Sequence, residues 1–195
     1  MKIRCGDKMK YMFLILLVAS SIFCQEIEKK EWGKYFTEKG FEGCFVLLDN
    51  NNNKTYVYNK ERAEKQFLPA STFKIPNSIF ALDSKVIKDE NEIIEWDGVT
   101  RSFKDWNQNL NLSTAIKVSC VWFYQELAKR MGYEKLDNYV KSINYGNKNI
   151  KGAIDRFWLD GQLRISAYQQ INFLKNFYFY KLPFNHSTID VVKKI

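Results

Sequence analysis

The sequence contains a single histidine, His186, and it lies near the C-terminal end. Because a serine–histidine–acid triad needs histidine and zinc sites commonly use it, this scarcity argues against both. The chain also lacks a Cys-x-x-Cys pair and a glycine-rich phosphate loop, the patterns typical of zinc or redox sites and of nucleotide-binding loops. A nucleophilic serine in this chain would need a base other than histidine.

Cysteine is almost as scarce, and the four that occur are Cys5, Cys24, Cys44 and Cys120. We expect only Cys44 and Cys120 to belong to the folded domain, and their spacing matches no zinc pattern. An oxidising compartment would allow a disulfide between them, but two ordinary buried thiols are the preferred interpretation.

The remaining composition is typical of one globular domain, with 195 residues of which 46% are hydrophobic and 16% aromatic. The net charge is +8, but basic and acidic residues alternate, as in Glu61-Arg62-Ala63-Glu64-Lys65. A nucleic-acid-binding surface needs basic residues gathered on one face. We therefore predict no nucleic-acid partner.

The N-terminus carries an apolar run, Tyr11–Ala19, between basic residues and a pair of serines. This order is typical of a secretory signal peptide, and the run is too short to span a bilayer comfortably. We predict residues 1–24 as the signal peptide, with cleavage after Ser21 or near Cys24, and an exported protein that is periplasmic or secreted. Membrane contact is expected only through this peptide or a lipid anchor on Cys24, which the bulky Phe23 disfavours.

Apolar spacing and turn residues predict a hairpin followed by a series of helices. The hairpin joins 41–48 to 55–58 through the turn Asp49–Asn53, and helices are predicted over 28–38, 71–82, 119–131, 136–143 and 166–179, with another opening at 187–195. Proline is tolerated only near a helix start, so Pro76 requires the second helix to begin close to Ser71. Gly132 is placed to end the third helix.

The segment Ser71-Thr72-Phe73-Lys74 brings a serine and a lysine onto one face at the start of a predicted helix. The positive end of the helix dipole, together with burial, disfavours the charged lysine and lowers its pKa. A neutral amine can act as a base, or can add carbon dioxide and become a carbamate. Taken alone, the pattern favours the simpler interpretation, an N-cap serine followed by a surface lysine.

Longer strings resemble the motifs of one enzyme family. Pro69–Ile79 is similar to the active-site segment of the class D β-lactamases, and Ser119-Cys120-Val121, Tyr145-Gly146-Asn147 and Phe157–Ser166 resemble its later motifs in the same order. The likeness runs from about Trp32 to the end. It implies that residues 25–195 form one domain of the α/β (α+β) serine β-lactamase or penicillin-binding transpeptidase type, a helical subdomain with an antiparallel sheet.

The resemblance implies a role for each matching residue and a small-molecule β-lactam as substrate. Ser71 would form the acyl-enzyme, Lys74 as a carbamate would be the general base, and Ser119 would relay a proton to the leaving nitrogen. Trp158 would hold the carbamate through its indole N–H, so no metal and no cofactor beyond carbon dioxide is expected. The implied substrate-binding residues are Val121, Tyr145 and Leu159.

One motif of the family has no counterpart here. Family members carry a later strand with Lys-Thr-Gly or Lys-Ser-Gly, whereas the single Lys-Thr of this chain, Lys54-Thr55, is followed by Tyr56. In the family this strand supplies an oxyanion-hole donor, and losing one such donor costs roughly 10²–10³ in rate. We therefore expect a domain that is incomplete at its C-terminus, with its hairpin lacking sheet partners, unstable by itself and impaired in activity.

Two alternatives to hydrolysis stay open at this point. A β-lactam-binding domain of the sensor type would be acylated at Ser71 without deacylation, although such receptors carry several membrane spans ahead of the domain. An inactive truncated relic would bind no ligand.

Overall fold

The computed structural model describes residues 25–195. Its strands are β1 (Gln25–Glu28), β2 (Phe45–Asp49) and β3 (Lys54–Tyr58). The helices of these residues are α1 (Lys34–Thr37), α2 (Lys60–Glu64), α3 (Lys74–Asp83), α4 (Leu112–Lys117), α5 (Val121–Met131), α6 (Tyr133–Ser142), α7 (Ala167–Tyr178) and α8 (His186–Lys194). Short 3₁₀ turns occupy Lys30–Gly33, Ala70–Phe73 and Lys104–Trp106.

The predicted hairpin is present. Strands β2 and β3 pair antiparallel, with Leu47 opposite Tyr56. Their connection is a tight polar turn in which the Asp49 carboxylate accepts hydrogen bonds from the backbone N–H groups of Asn51 and Asn52. Short polar side chains that bond to nearby backbone in this way are the reason such residues mark turns.

The hairpin has a further partner that the sequence did not indicate. Strand β1 pairs parallel with β3, so the sheet order is β1-β3-β2 and the sheet is mixed rather than antiparallel as expected. In β1 only Ile27 is apolar, so its sequence shows no strand periodicity. The predicted helix over 28–38 is correspondingly shorter, a 3₁₀ turn and the single-turn α1.

Helix α3 lies at the centre of the helical region and packs against both α5 and α8. It begins right after the 3₁₀ turn Ala70–Phe73 and has Pro76 in its first turn, which agrees with the predicted start. Ile79 and Phe80 of this helix are fully buried. The predicted terminal helix is confirmed as α8, whose Ile189 and Val192 are buried.

Two further helices follow the predicted bounds closely. Helix α5 ends at Gly132, whose φ of +79° is readily adopted by glycine. Helix α7 begins after Ser166, which forms a reciprocal capping box with Gln169. The segment is apolar and aromatic enough to predict a buried helix, but Phe173 is the one buried residue of α7, which packs against β2 and α2.

The two cysteines within residues 25–195 are free thiols, Cys120 buried and Cys44 half-buried. The interpretation as two thiols is therefore confirmed, although Cys44 is less buried than expected. The predicted signal peptide, with Cys5 and Cys24, lies outside the described residues. Among residues 25–195, no helix is long and apolar enough to cross a bilayer, and no group of three potential metal ligands comes together.

Candidate active site

Ser71 and Lys74 meet at the junction of the 3₁₀ turn and α3. The Lys74 Nζ donates a hydrogen bond of 2.8 Å to the Ser71 Oγ. Ser71 is exposed, whereas Lys74 is only 4% exposed. The backbone N–H of Ala70 donates to the Trp158 carbonyl at 3.0 Å. This hydrogen bond links the turn to a segment that is distant in the sequence. The exposed hydroxyl of Ser71 is therefore hydrogen-bonded to the buried amine of Lys74.

The surroundings of Lys74 favour its neutral form. Lys74 is the one buried charged side chain of residues 25–195, and no carboxylate of these residues pairs with it. Burial lowers the pKa of the Lys74 amine, and the nearby Cys120 thiol opposes this only in part. A lysine with a lowered pKa can accept a proton from a neighbouring hydroxyl.

Ser119 approaches the same hydroxyl from a different segment. The Ser119 Oγ lies 3.4 Å from the Ser71 Oγ, although the two residues are 48 positions apart. Ser119 occupies the corner between α4 and α5 with φ +52°, a left-handed conformation that is uncommon for a residue with a Cβ. The corner is held by backbone hydrogen bonds from Ser119 to Ile116 and from Cys120 to Ala115.

Tyr124 and Ser78 form a layer beneath Lys74 that the sequence analysis missed. The Tyr124 ring centroid is 5.6 Å from the Lys74 Nζ, so the ring packs against the lysine amine. The Tyr124 hydroxyl hydrogen-bonds to the Ser78 Oγ at 3.0 Å, and Ser78 donates to the Lys74 carbonyl at 2.8 Å. The spacing of Tyr124 in α5 indicated only a core position, so its polar contact could not be foreseen.

Trp158 packs against the turn Ala70–Phe73, which carries Ser71. It is 1% exposed, and its ring stacks on Phe73 with a centroid distance of 5.4 Å. Within residues 25–195, no hydrogen bond uses its indole N–H. The two other predicted apolar residues, Val121 at the start of α5 and Leu159 directly after Trp158, are half-buried.

Tyr145 was predicted to contact substrate, and the structure places its side chain in the core beside the site. The residue is 1% exposed, and its ring is packed edge-on against Phe73 and Phe173, with centroids 5.6 and 5.2 Å away. Its hydroxyl donates to Gln170 Oε1 at 3.2 Å, and burial raises the pKa of Tyr145 to about 12. The Tyr145 ring therefore packs against Phe73 inside the core, and almost none of its surface is accessible.

Trp106 is a further residue near the site that sequence reasoning missed. Its indole N–H donates to the Val118 carbonyl at 2.9 Å, immediately before Ser119. It lies at the end of the 3₁₀ turn Lys104–Trp106. Apolar periodicity is absent from this polar stretch, so no sequence signal linked Trp106 to Ser119.

The chain is similar to known proteins in both sequence and fold. The profile of the penicillin binding protein transpeptidase domain matches residues 43–195. Beta-lactamase OXA-48 from Klebsiella pneumoniae is 43% identical over 92% of this chain and 70% of that protein. Beta-lactamase OXA-10 from Pseudomonas aeruginosa is 40% identical over 94% of this chain and 69% of that protein.

Solved structures agree with the sequence comparison. The crystal structure of a class D β-lactamase from Sebaldella termitidis ATCC 33386 matches with a TM-score of 0.84 and 39% identity, covering 87% of this chain and 68% of that one. The fold is thus of the penicillin-binding transpeptidase type. The chain belongs to the class D β-lactamases, serine hydrolases of the β-lactam amide bond.

Proposed function

We propose that this chain opens β-lactam rings through an acyl-enzyme on Ser71, with Lys74 as the general base in its carbamate form. The observation that carries the proposal is the 2.8 Å contact between Lys74 Nζ and Ser71 Oγ, made by a lysine that is 4% exposed. A general base must lie within hydrogen-bond reach of the proton it removes. The family likeness supplies the substrate class.

The carbamate forms when neutral Lys74 adds carbon dioxide and releases one proton. In acylation the Ser71 oxygen attacks the β-lactam carbonyl carbon, and its proton passes to the carbamate. The ring C–N bond breaks, and Ser119, 3.4 Å from Ser71, relays this proton from the carbamate to the leaving nitrogen. In deacylation the carbamate takes a proton from water, whose oxygen attacks the acyl carbon. The bond from the acyl carbon to the Ser71 oxygen then breaks, the ring-opened acid is released, and the proton held by the carbamate passes to the Ser71 oxygen.

Trp158 is proposed to donate its indole N–H to the carbamate. Its near-complete burial and its stacking on Phe73, the residue before Lys74, support this role. The indole N–H makes no hydrogen bond within residues 25–195 and is not enclosed there as a buried unpaired atom, so this donor is available to a group added to Lys74. Val121 and Leu159 are proposed to form the apolar lining of the pocket.

The proposal is tested by hydrolysis of a chromogenic β-lactam by the purified chain, with and without added bicarbonate. We expect turnover that bicarbonate increases, a transient mass increase of one β-lactam on the intact protein, and neither in Ser71→Ala. Hydrolysis by Ser71→Ala at the parent rate would refute the assignment. A stable adduct without turnover would instead favour a binding domain of the sensor type.

The carbamate has its own test. Incubation with ¹³C-bicarbonate should produce one carbonyl NMR signal that is lost in Lys74→Ala and persists in Lys65→Ala, whose lysine is exposed at the surface. A signal that survives in Lys74→Ala would place the carbamate elsewhere. Trp158→Phe keeps an aromatic ring at this position without the N–H, and we expect it to weaken the signal at a given bicarbonate concentration.

We also propose that the protein is exported and that its mature form begins between residues 22 and 25. The order of basic, apolar and small residues within 1–24 supports export. Intact mass of the protein recovered from producing cells should show a first residue between 22 and 25, and a lipid on Cys24 would add the mass of its acyl chains. Recovery, in the cytosolic fraction, of protein that still carries residues before Ser21 would contradict export.

A further inference from the structure

The conformation of Ser119 requires restraint from its surroundings. With φ +52° it occupies a region of backbone space that persists for residues with a Cβ only where neighbouring structure imposes it. Its hydroxyl reaches the Ser71 Oγ at 3.4 Å in this conformation. A shift of the corner between α4 and α5 would change that distance directly.

Two tryptophan indoles form a chain of hydrogen bonds that ends at this corner. The Trp122 N–H, in the first turn of α5, donates to the Trp106 carbonyl at 2.7 Å. The Trp106 N–H in turn donates to the Val118 carbonyl at 2.9 Å. The Val118 carbonyl belongs to the peptide bond that leads into Ser119, so the chain bridges the corner from one side to the other. Trp122 is only 5% exposed.

The loop that carries Trp106, between Ile94 and Leu110, is itself restrained by hydrogen bonds. Its ends are paired through the bridge between Ile94 and Leu110. Inside the loop, Arg101 and Asn107 exchange two hydrogen bonds, the Arg101 N–H to Asn107 Oδ1 at 2.8 Å and Asn107 Nδ2 to the Arg101 carbonyl at 2.9 Å. The Trp106 carbonyl and indole are therefore presented from a restrained segment.

We propose that Trp122 is a positioning residue for Ser119 that acts through Trp106. The catalytic consequence of this inference rests on the proposed proton relay by Ser119. Its structural consequence, the position of Ser119, can be tested without a measurement of activity. When the Trp122 N–H is removed, the Trp106 carbonyl loses its donor and the loop separates from α5. The Val118 peptide is then free to relax, and the Ser119 hydroxyl moves away from Ser71.

Hydrogen exchange at the corner tests the structural part. The amides of Ser119 and Cys120 donate to the Ile116 and Ala115 carbonyls, and we expect them to exchange about tenfold faster or more in Trp122→Phe, because local opening becomes easier. The amide of Leu127, inside α5, should be unchanged. Trp106→Phe removes the second bond of the chain and should give the same result if Trp122→Phe folds poorly.

Trp96→Phe is the matched control. The Trp96 indole also donates to a loop carbonyl, that of Val99 at 3.1 Å, but it makes no hydrogen bond to residues 118–120. Exchange at Ser119 should stay within about twofold of the parent in this variant. Parent-like exchange in both Trp122→Phe and Trp106→Phe, or equal acceleration in Trp96→Phe, would overturn the inference.

A double-mutant cycle tests the catalytic part. We expect Trp122→Phe to slow acylation of Ser71 about tenfold in the parent and less than about twofold in a Ser119→Ala background. A general loss of packing would instead slow both backgrounds by the same factor, and that result would overturn the catalytic role. Failure of the parent to acylate would refute the proposed function alone, since the exchange experiment still decides whether Trp122 positions Ser119.

Discussion

The strand region, residues 25–69, and the helical region, residues 70–195, differ in how much apolar surface they bury. The helical region contains one continuous cluster of buried side chains that extends from Phe73 to Val192. In the strand region the buried apolar side chains are Val57, Ala63 and Pro69, while Phe45 and Leu47 are 49% and 45% exposed. Lys74 and Ser119 both belong to the helical region, so the reactive geometry is held by the better packed part.

The difference has a simple geometric origin. Helix α3 contacts α5 and α8, and α5 contacts α6, so the apolar faces of several helices converge on one interior. The sheet has three strands within the described residues, and α7 packs on β2. A small sheet covered mainly by one helix buries few of its side chains.

The largest expected effect is on the reaction itself. Lys74→Ala removes the proposed base, and we expect β-lactam hydrolysis to fall roughly 10²–10⁴-fold. Lys65→Ala in the strand region removes an exposed lysine that pairs with Glu61 one turn away, and its rate should stay within about twofold of the parent. Steady-state kinetics with a chromogenic β-lactam measure both. A Lys74→Ala rate within about tenfold of the parent would show that another group supplies the base.

Two phenylalanine substitutions compare the packing of the regions directly. Phe73 is fully buried and its ring packs against those of Phe80, Phe157 and Trp158. Phe73→Ala should therefore lower the free energy of unfolding by about 3–5 kcal/mol. Phe45→Ala loses a half-exposed ring and should cost about 1 kcal/mol. Urea unfolding followed by circular dichroism measures both, and equal losses would break the comparison.

The pH dependence of stability gives a smaller effect of known sign. Burial lowers the pKa of Lys74 in the folded protein below its ordinary value of 10.5, so in carbon-dioxide-free buffer the unfolded chain holds this proton more tightly. Lys74→Met should then be more stable than the parent at neutral pH. The parent should regain stability relative to the variant as pH rises from the lowered pKa towards 10.5.

A lysine of the strand region should behave in the opposite sense. A hydrogen bond to the Glu26 carboxylate raises the pKa of Lys60. Its stabilising contribution is present below its ordinary pKa and is lost as pH rises through the raised one. Lys60→Met should be slightly less stable than the parent at neutral pH and equal to it at high pH. If the stability difference from the parent changed with pH in the same direction for Lys74→Met and Lys60→Met, the opposite pKa shifts of the two lysines would be contradicted.

The smallest stability change is expected at the sheet edge. Within the described residues β2 pairs on one side only, and exposed apolar edge strands promote association. Leu47→Lys should reduce light scattering of concentrated samples and change the free energy of unfolding by about 0.5 kcal/mol or less. Tyr133→Lys replaces a side chain of similar exposure, 47% against 45%, on a helix, and it should leave the scattering unchanged.

Local sequence patterns predicted the helices better than the sheet. Helices α3, α5 and α8 were predicted within a few residues, because Pro76, Gly132 and the apolar spacing act over one or two turns. Strand β1 was missed, since its four residues are held by pairing with β3, some thirty residues away. Burial was also hard to predict: Tyr145 belongs to a family motif, yet its ring lies inside the core.

The sequence by itself determined that Ser71 and Lys74 share one face at the start of a helix, because residues three positions apart are neighbours on any α-helix. The tertiary structure decided the rest of the site. It buried Lys74 without a carboxylate partner and brought Ser119 from 48 residues away to within 3.4 Å of Ser71. Both outcomes depend on packing between α3 and the corner before α5, and such long-range contacts are absent from any local pattern.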